Sequence, residues 1–263
     1  MSDQKISMEK TQTIKEIKEL LSSGTEISSD YLALLKQDAR KGVQTAVKQY
    51  ENRLKKQALI QENYHMMQSY ERAFREQGKG YIAGIDEVGR GPLAGPVVSA
   101  AVILPEEPDL AGINDSKQLS EAEREHWAEK IKKVALAINY SVISPELIDS
   151  LNIYEATRVS MKESVEGLGI HPDCLLIDAM RIDSRIPQEK IIKGDAKSIS
   201  IAAASIIAKV TRDNIMKELA EKYPGYGFER NAGYGTKDHL DGLKKHGVTP
   251  IHRKSFRPVK DLL

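Results

Sequence analysis

Apolar residues follow two different rhythms along the chain, and the change comes near residue 80. Before it the spacing is helical. Ile14, Ile17, Leu20 and Leu21 share one face, as do Tyr31, Leu34 and Leu35 behind the Ser28-Ser29-Asp30 cap signal. Val43, Val47, Tyr50 and Leu54 then open a longer helical run toward Phe74. Gly24 and Gly42 are the breakers before Gly78, and the segment has no proline. The pattern predicts a helical extension, residues 1–78, closed by Gln77-Gly78-Lys79-Gly80. Its plainest role is packing on the main domain or a partner. A direct hand in substrate binding is the sharper reading, and the sequence leaves it open.

From Tyr81 the texture is that of strands and turns. Tyr81 to Asp86 and Val97 to Leu104 are short apolar runs around a Gly/Pro-rich stretch, and they predict a hairpin. An amphipathic helix over 120–137 leads to a third strand at Tyr140 to Ile143. A helix over 145–167 precedes strands at 174–178 and near 190–193. Residues 197–222 give the strongest helical signal, with Ala202, Ala203, Ala204, Ser205 and Ala208 forming a small-residue face. Such a face lets a helix lie close to a sheet. Strands first, then strands alternating with helices, predict a mixed α/β sheet. Neither an internal repeat nor a low-complexity tract interrupts it.

Composition narrows the picture. A chain of 263 residues, 40% of them hydrophobic, suffices for one sizeable domain and a small extension. The net charge of +1 gives no gross nucleic-acid signature, so such a site would need local clustering. Clustering exists: residues 242–260 carry Lys244, Lys245, Arg253, Lys254, Arg257 and Lys260 without an acid, a segment suited either to phosphate backbones or to a solvated tail. The single cysteine, Cys174, excludes an internal disulfide framework and a Cys-based zinc site; its apolar run predicts a buried thiol. The polar N-terminus and the lack of a membrane-length apolar stretch lead to the expectation of a soluble cytoplasmic protein. His171, His239, His246 and His252 are too scattered to suggest a metal site and are expected at surfaces or caps.

The chemistry concentrates at strand ends. In Gly84-Ile85-Asp86-Glu87-Val88-Gly89-Arg90-Gly91-Pro92-Leu93-Ala94-Gly95-Pro96 an apolar strand runs into two adjacent carboxylates and a glycine-rich turn. Successive strand residues face opposite sides, so Glu87 is expected to share a site with Asp86 only if the strand ends there. Asp178 closes Leu175-Leu176-Ile177, and Asp195 follows Ile191-Ile192-Lys193-Gly194. Any one of these acids alone reads as a loop residue or a cap. Together, at the strand exits where α/β sheets gather their sites, they suggest an all-oxygen cage suited to Mg²⁺ or Mn²⁺ rather than zinc. A nucleotide-binding switch is disfavoured, because the Gly-rich stretch lacks a Lys-Ser/Thr ending.

The run Asp86-Glu87-Val88-Gly89-Arg90-Gly91 resembles the signature of type 2 ribonucleases H. Further matches follow in order: Asn114-Asp115-Ser116-Lys117, the strand ending in Asp178, Lys193-Gly194-Asp195, Ala203 to Asp213, and Gly233-Tyr234-Gly235-Thr236. The likeness spans about residues 80–256, and the Gly-Arg-Gly form favours the bacterial ribonuclease HII branch over HIII. It implies a ribonuclease H-like mixed five-stranded sheet flanked by helices, with residues 79–263 as the catalytic domain behind the helical extension.

The resemblance also implies roles. Asp86, Glu87, Asp178 and Asp195 would be the catalytic metal ligands. Two ions would flank the scissile phosphate, one activating water and one stabilising the leaving 3′-oxygen. Gly89, Arg90 and Gly91 would read the ribose 2′-hydroxyl, which distinguishes RNA from DNA. Tyr234 would sit against the following sugar, and Lys117 and Arg90 would contact phosphate, with Ser116 and Lys209 as weaker candidates. Asp213 is the nearest rival ligand, but its helical setting favours a salt bridge. The implied reaction is hydrolysis of the RNA strand of RNA–DNA hybrids, including 5′ to single ribonucleotides embedded in duplex DNA, leaving 3′-hydroxyl and 5′-phosphate ends. Two alternatives stand beside it: HIII-like specificity, and a non-catalytic hybrid-binding module, which the intact set of four acids disfavours. A monomer without membrane contact is expected. A replication-clamp contact lacks support from any clamp-binding peptide at the C-terminus.

Overall fold

The computed structural model describes residues 12–113 and 116–263. They form two compact units that part between Glu62 and Asn63. In the first unit, α1 (Ile14–Ser22) begins at a capping box in which Thr13 and Glu16 satisfy each other's backbone groups. Helix α2 (Ser29–Lys36) starts at Ser28, as its cap signal predicts, and α3 (Lys41–Met67) runs through the boundary into the second unit. Ile17, Leu21, Leu35, Val43, Ala46, Val47 and Tyr50 make this unit's core. Leu34 and Leu54 share the helical period but remain exposed.

After the end of α3, the second unit continues with α4 (Ser69–Arg75) and then a five-stranded sheet. Strands β1 (Ile82–Val88), β2 (Val97–Ile103), β3 (Ala137–Ile143), β4 (Cys174–Asp178) and β5 (Gln188–Ile191) lie in the order β3-β2-β1-β4-β5. The pairs β1–β2 and β2–β3 are antiparallel, while β4 and β5 continue parallel to β1. A mixed sheet flanked by helices is what the sequence predicts. Helix α5 (Glu121–Val134) precedes β3, and the helical stretch after β3 is two helices, α6 (Pro145–Leu151) and α7 (Ile153–Glu166). The predicted single helix breaks at Asn152, whose φ of 71° cannot continue a helix. Its Oδ1 accepts the Tyr154 and Glu155 N–H groups and restarts the chain as α7.

Two cores sandwich the sheet. Val98, Ala100 and Val102 face α5 and the long helix α8 (Ile199–Lys222), while Ala83, Ile85, Ala101, Ile103, Leu175 and Ile177 face Met161 and Val165 of α7. Each large apolar side chain so buried contributes about 1.5–3 kcal/mol. The small residues of α8 do what their pattern predicts. At Gly84 of β1, an added Cβ would overlap the Ser200 carbonyl and the Ile201 nitrogen, so the helix backbone lies directly against the strand. Two short elements follow, α9 (Phe228–Asn231) and α10 (Lys237–His246), which the apolar pattern does not mark.

Because backbone, not a flexible side chain, blocks that space, Gly84→Ala is expected to cost about 3 kcal/mol or more in urea unfolding. A loss below about 1 kcal/mol would mean that α8 can retreat from the sheet.

Candidate active site at the strand exits

Register decides where the carboxylates meet. In the parallel pair β1–β4, Ile85 lies opposite Ile177, and the next residues along the two strands are Asp86 and Asp178. Strand β1 does not end at Asp86, contrary to the condition set by the sequence. It runs on to Val88, with Glu87 opposite Ser99. The two acids still converge, because the Asp86 Oδ1 turns forward to accept the Glu87 N–H at 2.8 Å. Asp86, Glu87 and Asp178 each place an oxygen within 4.8 Å of the others.

Asp195 arrives differently from its sequence expectation. It sits not at a strand end but in a 3-10 turn, Gly194–Ala196, beyond β5. This turn is tied to the cluster by the Gly194 N–H, which donates to Asp178 Oδ1 at 2.6 Å. Asp195 lies outside the three-residue group but is near enough for its charge to act on Asp178.

Burial and mutual charge both resist ionisation here. Burial pushes the Asp86 carboxyl well above its ordinary range, with the charges of Glu87 and Asp178 adding and a hydrogen bond from Ser205 opposing. Burial likewise raises Glu87 to about 7, although the Arg90 charge opposes it. Asp178 is raised by burial too, against its bond from Gly194. Buried carboxylates that repel one another and offer only oxygen fit a hard divalent cation such as Mg²⁺ or Mn²⁺. Arg90 reaches Glu87 at 3.5 Å and Lys117 reaches Asp195 at 3.5 Å, so both predicted phosphate contacts rest on the acids. Asn114 and Asp115 lie outside the described residues. Ser116 is buried and bonds Ser205 at 2.9 Å, anchoring the segment that carries Lys117. Asp213 takes Lys209 at 2.6 Å and Arg124 at 3.7 Å, the ion-pair role its helical setting predicts.

The glycine-rich turn beyond β1 is braced by two arginines that sequence reasoning did not single out for this purpose. Arg253 donates to the carbonyls of Gly89, Arg90 and Gly95, and Arg212 to those of Ala94, Pro96 and Ala232. Both are fully buried, and burial lowers their pKa to about 9 and about 10, so they stay charged at neutral pH. Arg253 therefore does not belong to the basic patch in which its sequence placed it. Gly89 has a φ of 93°, and any side chain there would strike the Arg212 guanidinium. A signal for Arg212 was available: it follows Ser205 and Ala208 at helical spacing on the buried face.

Tyr234 stands beside this turn and is 47% exposed. A Cβ on Gly91 would lie 3.5 Å from its Cε1. Its backbone is held by a histidine pair that is buried, contrary to the expected surface placement. The Thr249 N–H donates to His252 Nδ1 at 3.0 Å, so His252 carries its proton on Nε2 and donates it to His239 Nε2 at 3.0 Å. His239 then donates from Nδ1 to the Tyr234 carbonyl at 3.0 Å. All four ring nitrogens are used, which suits neutral imidazoles; burial lowers His239, and lowers His252 to about 4. Cys174 is buried as predicted, and burial raises its thiol to about 11.

A family model described as ribonuclease HII matches residues 83–259. The chain belongs to the ribonuclease HII family. A second model, the ribonuclease HII N-terminal domain, matches residues 13–75. Ribonuclease HII of Ligilactobacillus salivarius is 57% identical over 251 residues, spanning 95% of this chain and 98% of that protein. Among solved structures, the ribonuclease H2 of Pyrococcus horikoshii is similar at a TM-score of 0.61 and 26% identity, over 69% of this chain and 96% of its own. The ribonuclease HII of Archaeoglobus fulgidus, solved in complex with PCNA, is similar at 0.57 and 28%, over 67% of this chain and 95% of its own. Membership makes this chain an enzyme of the ribonuclease type. Among the described residues, no helix of this ribonuclease HII relative is long and apolar enough to cross a membrane.

The raised Glu87 pKa has a consequence for stability. Its folded state keeps the proton that the unfolded state gives up near 4.5, so its contribution is full below that pH and is lost as pH rises through about 7. The difference amounts to roughly 3 kcal/mol. In urea unfolding with chelator, Glu87→Gln is expected to match the parent at pH 4.5 and exceed it above pH 8. The histidine pair acts in the opposite direction, losing stability as pH falls from 6.5 toward 4, and it cancels in this comparison. Equal stabilities of the two proteins at both pH values would show that the acids do not strain the fold.

Proposed function

We propose that this protein is an endonuclease that hydrolyses the RNA strand of RNA–DNA hybrids, including the bond 5′ to a single ribonucleotide embedded in duplex DNA, leaving 3′-hydroxyl and 5′-phosphate ends. The observation that carries this reading is one juxtaposition. One carboxylate oxygen each from Asp86, Glu87 and Asp178 lies within 4.8 Å of the others, and β1 leads from them directly into Gly89-Arg90-Gly91. A phosphate on the acids would thus have its ribose at the glycine turn.

In this reading Asp86, Glu87, Asp178 and Asp195 are the catalytic residues and hold a pair of divalent ions. Bound Mg²⁺ or Mn²⁺ would activate water and neutralise charge on the phosphate and leaving oxygen. Gly89 and Gly91 let backbone groups approach the 2′-hydroxyl closely. Tyr234 offers a half-exposed ring to the next sugar. Arg90 and Lys117, which rest on Glu87 and Asp195, are placed to exchange those acids for phosphate when cations take over the carboxylates. Every residue given a role in this reading lies in 79–263, which we take as the catalytic domain behind the extension 1–78. The Archaeoglobus relative solved with PCNA supports a sliding clamp as protein partner. For the chain itself we propose a monomer in the cytoplasm.

The deciding test is cleavage of a DNA duplex with one embedded ribonucleotide, in Mg²⁺ or Mn²⁺, beside a uniform RNA–DNA hybrid. Cutting on the 5′ side is expected, with Asp86→Asn at least about 10³-fold slower, as loss of a charge-stabilising group at the reacting phosphate implies. Activity on the long hybrid alone would replace this reading with HIII-like specificity. Tight binding of both substrates without cleavage would leave only a binding module. Tyr234→Ala is expected to slow the embedded-ribonucleotide substrate about 10-fold or more while sparing the uniform hybrid. Equal losses on both would remove Tyr234 from junction selection.

A further inference from the structure

We propose that Glu71 is a positioning residue for Asp195, so that a helix ahead of the catalytic domain sets part of the metal site; this rests on reading Asp195 as a metal ligand. Glu71 lies on α4 and is 1% exposed, an unusual state for a carboxylate. Its Oε1 accepts the Ser198 hydroxyl at 2.6 Å and the Ser200 N–H at 3.0 Å. Its Oε2 makes no hydrogen bond among the described residues. Such a group costs stability unless its position returns something.

What it holds is the start of α8. Ser198 is the N-cap of that helix and accepts the Ile201 N–H at 3.2 Å, and Ser200 lies in its first turn, whose N–H groups have no partner within the helix. Asp195 is three residues upstream, in the turn Gly194–Ala196. That turn hangs between two anchors: the Gly194 N–H on Asp178 Oδ1 at one end, and Ser198 on Glu71 at the other. The Ser198 N–H also closes back on the Gly194 carbonyl at 2.8 Å. The helix start cannot shift toward the sheet, because Gly84 leaves no gap there. Glu71 therefore fixes the remaining freedom of the segment that presents Asp195. Tyr70 and Phe74, on the same helix, pack against Ile82, Cys174, Leu176, Ile191 and Ile201 and keep α4 in place.

The test is Mn²⁺ binding to the full chain without nucleic acid, followed by water-proton relaxation at a temperature where every variant is folded. Glu71→Ala is expected to bind Mn²⁺ at least 10-fold more weakly, with the hybrid KM unchanged and kcat restored at high Mn²⁺. Glu71→Gln, which keeps an acceptor for Ser198 and Ser200, is expected to recover most of the affinity. Ile148→Ala, a core truncation on the buried face of α6, serves as the control that loses stability without loss of Mn²⁺ affinity. Parental Mn²⁺ affinity in Glu71→Ala would overturn the proposal and leave Glu71 a structural cap. If Glu71→Ala does not fold, Ser198→Ala takes its place, with about 3-fold weaker binding expected and parental affinity overturning the idea. Asp195→Asn is measured alongside. Unchanged Mn²⁺ binding in that variant would sink the reading of Asp195 itself, separately from any effect at Glu71.

Discussion

Like charges brought together at the end of a sheet repel, and most of the second unit can be understood as the apparatus that brings them together regardless. Parallel pairing of β1 with β4 puts Asp86 next to Asp178 by register alone. Helix α8 lies against β1 through Gly84 and offers Ser205 to Asp86. The turn after β5 is pinned to Asp178 through its backbone. The bonds from Ser205 and Gly194 offset the repulsion only in part, and both carboxyls stay raised above their ordinary range. These contacts hold the repulsion in place, and a divalent cation would convert it into affinity.

The loop that follows faces a different problem. The glycine-rich turn from Gly89 to Pro96 points many carbonyls inward, where no strand or helix satisfies them. Arg212 and Arg253 answer those carbonyls with their guanidinium groups rather than pairing with acids. A guanidinium stays charged under burial and spreads its donors in a fixed plane, so each can serve several carbonyls that a lysine could not. The histidine pair does the same for the Tyr234 carbonyl with neutral groups. The candidate site thus combines a carboxylate cluster under tension with a turn and a tyrosine whose backbones are closely fixed.

Much of this was legible because it depends on local order in the chain. The apolar runs before Asp86 and Asp178 mark strands, and the small residues 202–208 mark the helix that lies on them. Asp86, Glu87, Asp178 and the Gly-Arg-Gly turn stand out because residues with few structural uses follow apolar runs, whereas Asp195 lies in a turn that the apolar run before it does not mark. What the sequence hid depends on distant partners. Glu71 and Ser198 are 127 positions apart, and Arg253 reaches Gly89 across 164. His239 and His252 look like surface residues until α10 and the segment after it close around them. Alternation fixes side-chain direction along β1 but not the forward turn of the Asp86 carboxyl, so the strand continues through Glu87 and the two acids still meet. Asn152 broke a helix whose apolar period continues on both sides.

The most visible punctuation in the chain is the glycine pair at 78 and 80, yet the compact units part at Glu62, inside a continuous helix. Residues 63–78 thus carry the composition of the extension and the packing of the domain after it. A fragment trimmed at the glycines would expose the apolar wall that Tyr70 and Phe74 cover and leave the first turn of α8 without its buried acceptor. Dissection of this protein into working parts has to follow the seam in the packing rather than the one in the alphabet.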